Sequence, residues 1–282
     1  MRIALITTLW RRHDLTKIVL NYYRQFPNLE LICVGSEGDK SKQLAEGWHY
    51  IEHKNFPVSE KHNQALKKAK ELNVDGVVLI GSDDLMSKEL FTFYQTLDKN
   101  CPNVVGFEDS HIYYTETKEL FYYTGLVFKQ TVGTGRFFSK YVLDKCNWQL
   151  WDNDLNRGLD TNCTNKLKKL SIFETVYKLS DINGFFVDIK HTENITKFGG
   201  FGDRLNQTDF KIMAKKLGKK VVEEIIELPK PSDVVKANPL DKGKMYTFIS
   251  NGTSKHMKKG DVYEVSGETA MNFISKGYGD IN

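Results

Sequence analysis

Apolar positions along the first hundred or so residues follow two alternating rhythms. RIALITT (2–8) and LELICV (29–34) are apolar runs of strand length, and GVVLI (76–80) is too apolar for a half-exposed strand. Between these runs, Leu15, Ile18, Val19, Tyr22 and Tyr23 share one helical face, with Asp14 placed to cap it. Val58, Ala65, Leu66, Ala69 and Leu72 repeat that spacing, and His49 to Glu52 predicts a short edge strand. Strand and helix alternate with short links, which predicts an α/β, Rossmann-like, mostly parallel sheet with flanking helices. Right-handed crossovers then bring every strand end to one rim.

The rhythm changes from Val104. HIYYTETKELFYYTG (111–125) predicts two tyrosine-rich strands around a turn at Thr117-Lys118. VGTGRFFSKYVLDKC places a glycine-rich loop before an apolar helical stretch. Gly158 to Leu170 and Ile172 to Val176 read as helix or turn, and GFFVDI (184–189) as a strand. Thr208 to Leu217 predicts a helix ended by Gly218. A proline-bearing stretch, 227–244, reads as a linker between a main domain (1–226) and a small C-terminal module (245–282). In that module MYTFIS, a turn at Asn251-Gly252, KKGDVYEVS and ETAMNFISKG predict strand, strand and helix, with Ser266 capping the helix and Gly277 ending it. Such a short module is expected to lean on the main domain or on another subunit, which leaves an oligomer open.

A hydrophobic content of 40% and a charged content of 27% over 282 residues describe an ordinary globular chain. No apolar run is long enough to span a membrane, and the first residues resemble a strand more than a secretory signal, so a cytoplasmic location is expected. Cys33, Cys101, Cys146 and Cys163 lack metal-ligand spacing and are expected to be reduced thiols. The net charge of +4 is mild; only KKLGKK (215–220) is dense enough to suggest contact with a phosphate backbone.

The chemistry is concentrated where the third apolar run stops. Gly81 and Ser82 break it and deliver Asp83 and Asp84 to the carboxyl edge of the sheet, where ligands bind in open α/β folds. Adjacent carboxylates repel, and holding both ionised in a cleft calls for a cation. The plain alternative is that the pair caps a helix beginning near Ser87.

Read in order, TTLWRR after the first strand, VGSEGD, KHNQAL, GSDD, GTGRFFSK, RGLDTNC and VDIKHTENIT resemble the motif series of GT-A glycosyltransferases, most like the family-2 type, from residue 1 to about 200. The C-terminal module lies outside that pattern and resembles small modules appended to phage proteins, which suggests a phage-encoded chain. The sequence departs from the family by reading Ser82-Asp83-Asp84 in place of D-x-D, and by Leu159 where many relatives carry an acid.

The resemblance implies a metal-dependent, inverting transfer of a sugar from a UDP-sugar donor to a hydroxyl. The acceptor would be a glycan or cell-surface polymer, or a hydroxymethylated base in phage DNA. It implies Asp160 as catalytic base, with Asp152 and Asp154 as rivals, and Asp84 with His191 as ligands of Mn²⁺ or Mg²⁺. Thr7, Thr8, Arg11, Glu37, Lys61, Asn63 and Asp83 fall on the donor side, with Arg12 and Asp39 as further donor contacts. Arg136, Trp148 and Trp151 fall on the acceptor side, the indoles as a stacking wall. Two other classes stay open: a nucleotidyltransferase, which normally has a glycine- and basic-rich loop after the first strand that TTLWRRHD lacks, and a non-catalytic nucleotide-sugar-binding protein.

Overall fold

The computed structural model describes residues 1–100, 103–124, 131–190, 204–228, 245–250, 257–266, 269–270, 273 and 278–281. The chain divides into two compact units, the first holding Met1–Lys190 with Phe198–Leu228, the second His191–Lys197 with Pro229–Asn282.

A seven-stranded sheet forms the centre of the first unit. β1 (Ile3–Thr8) pairs in parallel with β2 (Leu29–Gly35) on one side and β4 (Gly76–Leu79) on the other, and β3 (His49–Glu52) continues the parallel order beyond β2. Beyond β4 come β9 (Phe137–Ser139), β6 (Val104–Phe107) and β10 (Glu174–Tyr177), of which β9 alone runs against its neighbours. Period-two alternation divides the core between the two faces. Ile3 and Leu5 of β1 point into one cluster and Ala4 and Ile6 into the other. The first cluster takes the apolar faces of α1 (His13–Tyr23), α4 (Lys88–Gln95), α7 (Lys211–Leu217) and α8 (Lys219–Ile226). The second takes α3 (Val58–Glu71), α5 (Lys140–Lys145) and α6 (Leu159–Lys169). The result is a mixed α/β unit with a large, mostly parallel sheet and helices on both faces.

A second, five-stranded sheet has the order β12 (Leu205–Gln207), β8 (Glu119–Thr124), β7 (Asp109–Tyr114), β11 (Phe186–Lys190), β5 (Asp84–Met86). Its last pair is antiparallel and sets Asp84 directly opposite Asp188. Two tyrosines at the end of α1 fix β5 in place. The buried Tyr23 hydroxyl donates to the Asp84 carbonyl at 3.0 Å and accepts from the Met86 N–H at 3.0 Å, while Tyr22 donates to the Met86 carbonyl at 2.9 Å. In the second unit, β13 (Met245–Ser250) lies between β14 (Val262–Ser266) and β15 (Gly279–Ile281), both antiparallel to it.

Several expectations are corrected. Asp14 does not cap α1; the backbone enters the helix through Arg12 in the left-handed region, and Asp14 sits in the first turn, where it complements the helix dipole. Ile172 to Val176 ends in edge strand β10, because its Thr-Val-Tyr run suits a half-exposed strand. The helix ended by Gly218 is followed at once by α8, which buries Val221, Val222 and Ile225. KKLGKK therefore straddles a helix–helix turn, and its Lys216 ammonium is held by the Asn183 carbonyl and side chain at 2.6 and 2.7 Å. Ser266 Oγ does accept from the Thr269 N–H, at 3.3 Å. Cys33, Cys146 and Cys163 are free and buried; Cys101 lies outside the described residues.

Replacing Tyr23 by Phe leaves the Met86 N–H without its acceptor and the Asp84 carbonyl without its donor. Chemical denaturation should show a loss of about 1–3 kcal/mol, with an unchanged denaturant slope.

Candidate functional site

The rim where β1, β2 and β4 end carries a group of opposed charges. Asp83 and Asp84 follow β4 through Gly81 and Ser82, as the sequence predicts, and neither caps α4, whose N-cap is Ser87. A Cβ on Gly81 would meet Asp84 Oδ2 at 2.5 Å and Asp83 Oδ1 at 2.6 Å. Only glycine therefore lets the backbone pass this close to both carboxylates, and its N–H donates to Asp84 Oδ2. Asp84 is 3% exposed.

The residue facing it was missed at the level of sequence. Asp188 on β11 stands opposite Asp84, and residues so paired in an antiparallel ladder have Cβ atoms about 4.5–5.5 Å apart. The signal was present in FVDIK, where Val187 and Ile189 alternate with Asp188 and Lys190. That alternation sends both polar side chains to one face of the strand.

Two cations balance this acidic group. Arg12 donates to Asp83 Oδ2 at 2.7 Å and to Ser82 Oγ at 2.9 Å, and Lys190 pairs with Asp188 Oδ2 at 2.5 Å. The Ser82 hydroxyl thus serves as an acceptor for arginine. Arg11 and Arg12 both have positive φ, at 56° and 51°, a conformation that costs a bulky residue energy and is found where a side chain must be aimed.

Burial, then the neighbouring Asp83 and Asp188 charges, drive the Asp84 pKa well above the usual carboxylate range, against hydrogen bonds from Thr134 and the Gly81 N–H. Asp188 is raised by burial and by Asp83, with Lys190 opposing. Burial works against the charges on Arg12 and Lys190, but the carboxylates outweigh it and raise both.

Among the described residues no three His, Cys, Asp or Glu groups stand as a ready-made metal cage. The Asp84–Asp188 pair nevertheless fits a hard divalent cation, which takes one or two carboxylates and fills its shell with water and phosphate oxygens. The observation supporting that fit is Asp188 Oδ1, which is buried without a hydrogen-bond partner. His191, the sequence-predicted ligand, lies outside the described residues.

Asp160 stands at the start of α6, exposed to solvent, with its carboxylate packed against Gly133, where an added Cβ would meet its Oδ1 at 2.4 Å. Thr134, the next residue, is the one that hydrogen-bonds Asp84. The 131–135 loop thus brings Asp160 and Asp84 to one place. Asp152 and Asp154 are exposed, and Asp152 accepts from Asn162 at 2.7 Å.

Among the residues expected to contact a donor, the loops come together at the rim while several side chains are buried in joints between them. Glu37 Oε2 accepts from the Arg11 N–H at 2.8 Å and lies 3.1 Å from His13 Nε2, so the loops after β1 and β2 are joined there. The Arg11 guanidinium lies over the Trp10 ring at 4.3 Å, which makes Trp10 the indole at this rim. Asp39 opens the short helix α2 (Asp39–Leu44) and is exposed. Thr8 ends β1 half-buried, whereas Thr7 is fully buried and its hydroxyl has no hydrogen-bond partner.

Lys61, 1% exposed, ties three loops from below: its ammonium reaches the Leu9 carbonyl at 2.8 Å and Ser36 Oγ and Asn55 Oδ1 at 3.2 Å. Burial brings its pKa down to about 8, with Glu37 and Glu52 opposing. Asn63 is buried as well and bonds the Trp151 carbonyl and Asn153 at 2.8 Å. Both therefore position loops.

The acceptor-side set is core. Trp148 and Trp151 are 1% and 3% exposed, and their ring N–H groups are bound to Asp144 and to the Leu159 carbonyl. Isolated tryptophans in a sequence do not reveal whether both ring faces are already covered. Arg136 is buried against Thr131 and Glu174 and anchors the 131–135 loop.

No family model matches this chain, and no curated protein matches it. Solved structures similar to it include the inositol-1-phosphate CTP transferase of T. maritima, at 14% identity and TM-score 0.42 over 81% of this chain and 97% of that one. A cytidylyltransferase from Leptospira borgpetersenii is similar at 13% identity and TM-score 0.40, over 85% and 95%. The glycosyltransferase GlyE of Streptococcus pneumoniae is similar at 9% identity and TM-score 0.43, over 80% and 62%.

A carboxylate whose folded pKa is raised contributes stability that is fully present below its unfolded value and is lost as pH rises toward the folded one. Metal-free wild type should therefore lose stability relative to Asp84→Asn as pH rises from about 4, by up to about 1.4 kcal/mol per pH unit. Thermal unfolding at pH 4 and pH 7 measures this, and Asp84→Asn should be the more stable form at pH 7.

Proposed function

We propose that this chain is a GT-A-type, metal-dependent inverting glycosyltransferase that moves a sugar from a nucleotide diphosphate donor, of UDP type, to a hydroxyl acceptor. The observation that carries this reading is the exposed Asp160 carboxylate held against Gly133, one residue from the Thr134 that touches Asp84. Glycosyl transfer needs a base for the acceptor hydroxyl close to, yet separate from, the carboxylates that manage the leaving diphosphate.

In that reaction the acceptor O–H gives its proton to Asp160. The oxygen forms its bond to the anomeric carbon from the face opposite the leaving group, and the bond from that carbon to the diphosphate oxygen breaks. The electron pair departs with the nucleoside diphosphate, so direct displacement inverts the centre. Asp84 and Asp188 would hold a divalent ion. Such an ion neutralises charge on the diphosphate. Glu37 and Trp10 sit where a nucleoside would enter between the loops after β1 and β2. The acceptor class remains a glycan or a hydroxymethylated base; the tie from Lys216 to Asn183 withdraws one charge from the KKLGKK argument for DNA.

Nucleotidyl transfer is the second reading, favoured by the facing Asp84–Asp188 pair, which suits an ion on an α-phosphate equally well. Against it, the loop after β1 turns its arginines onto Asp83 and Trp10 and offers no run of glycine N–H groups to a triphosphate.

The products separate the two. Incubation with nucleotide sugars and Mn²⁺ should release nucleoside diphosphate, abolished by chelator and by Asp84→Ala. Incubation with nucleoside triphosphates and sugar phosphates should release no pyrophosphate. Asp160→Asn should retain nucleotide binding and lower transfer by about 10²–10⁴-fold. Full transfer by Asp160→Asn would refute the assignment of the base.

A further inference from the structure

Three carboxylates, Asp83, Asp84 and Asp188, meet two protein cations at this rim, so with all three ionised the group carries one unbalanced negative charge, and with Asp84 protonated it is balanced. Each cation sits on a carboxylate. Arg12 holds Asp83 at 2.7 Å, and Lys190 holds Asp188 Oδ2 at 2.5 Å. The other oxygen of Asp188 is buried with no hydrogen-bond partner, although a buried carboxylate oxygen normally finds one. One oxygen of Asp188 is thus engaged from within the chain and the other is left for an outside cation.

Lys190 lies two residues beyond Asp188 on the same strand and the same face. Its ammonium is a compact charge on a flexible four-carbon stem and can swing without moving the backbone. A divalent ion drawing on both Asp188 oxygens would compete with it directly. With that ion in place and all three carboxylates ionised, the group carries one net positive charge. An ammonium released there then faces repulsion from the ion and attraction to an arriving polyanion.

We infer that Lys190, seconded by Arg12, is a built-in counter-cation: it neutralises the carboxylates while no divalent ion is bound, and transfers to the diphosphate of the substrate once one is. The inference rests on the proposed function and deepens it. Divalent ion and diphosphate become coupled ligands, each raising the affinity for the other, and a diphosphate without the ion is poorly received.

The sign of one measurement separates this role from a structural ion pair. Metal-free full-length protein is titrated with MnCl₂ alone, and bound ion is followed by electron paramagnetic resonance. Lys190→Met should bind Mn²⁺ about fivefold or more tightly than wild type, since the competitor is gone. Lys190→Arg, which keeps a cation, should stay near wild type. At saturating Mn²⁺, calorimetry with inorganic pyrophosphate should show Lys190→Met binding about tenfold more weakly than wild type.

Unchanged or weaker Mn²⁺ affinity in Lys190→Met overturns the counter-cation role while leaving the glycosyltransferase reading intact. Unchanged pyrophosphate affinity, or wild type binding Mn²⁺ but no pyrophosphate, overturns the transfer to the diphosphate. Wild type that binds no Mn²⁺ sinks both the inference and the metal-dependent reading beneath it. Arg12→Met is the second lever should Lys190→Met fail to fold. The same rise in Mn²⁺ affinity is expected of it, and no rise there overturns the counter-cation role equally.

Discussion

The arrangement at the rim depends on one antiparallel pairing, β5 against β11, which sets Asp84 and Asp188 face to face. Left alone, two carboxylates directly opposite each other destabilise a sheet. Burying them adds to the cost, because each loses water that the protein must replace. The pairing survives because independent anchors hold β5 from behind. Tyr22 and Tyr23 bind the backbone of Asp84 and Met86 at the two ends of β5, and Ser87 Oγ accepts from the Phe185 N–H at the far end of the pair. The cations then offset the charge from the front.

The same logic explains why so many polar residues near the site are buried. Lys61, Asn63 and Arg136 each join separate segments of the chain, and each replaces water with several fixed acceptors or donors. Glu174 is the clearest case: its two oxygens accept from Thr131 and from Thr164, one in the 131–135 loop and one on α6, the helix that begins beside Asp160. The helix that carries Asp160 and the loop that touches Asp84 are therefore tied to one another through Glu174. A site held to within a fraction of an ångström requires such a supporting layer.

The elements with strong rhythm were legible in the residues. β1, β2, β4, α1, α3 and the β7–β8 hairpin follow from period and turn chemistry, down to the left-handed Lys118 in the predicted turn. β9 escaped because three residues are too few to show a period, and it enters the sheet only through long-range pairing with β4 and β6. At the site, Asp83 and Asp84 could be picked out because they follow a break in an apolar run, and Asp160 because it opens a helix after the Arg157-Gly158 turn. Asp188 could not: it sits inside a strand, and its meaning comes from a partner about a hundred residues earlier. Lys61 and Asn63 were expected to contact a donor, but a sequence does not say whether a polar side chain on an amphipathic helix points toward ligand or into a joint. Burial decided for the joint.

If the rim cluster were purely structural, its chemistry would be a poor choice. An apolar pair at 84 and 188 would pack without desolvation cost, and buried ion pairs of this kind are often bettered by hydrophobic replacements of similar volume. The surrounding details all run toward keeping charge available at this spot. Two carboxylates crowd Gly81, and the consecutive left-handed arginines bring a guanidinium back to Asp83. Three separate sacrifices of stability at one point are the pattern expected of a binding site for a multiply charged ligand. A fold optimised for its own sake would have made none of them.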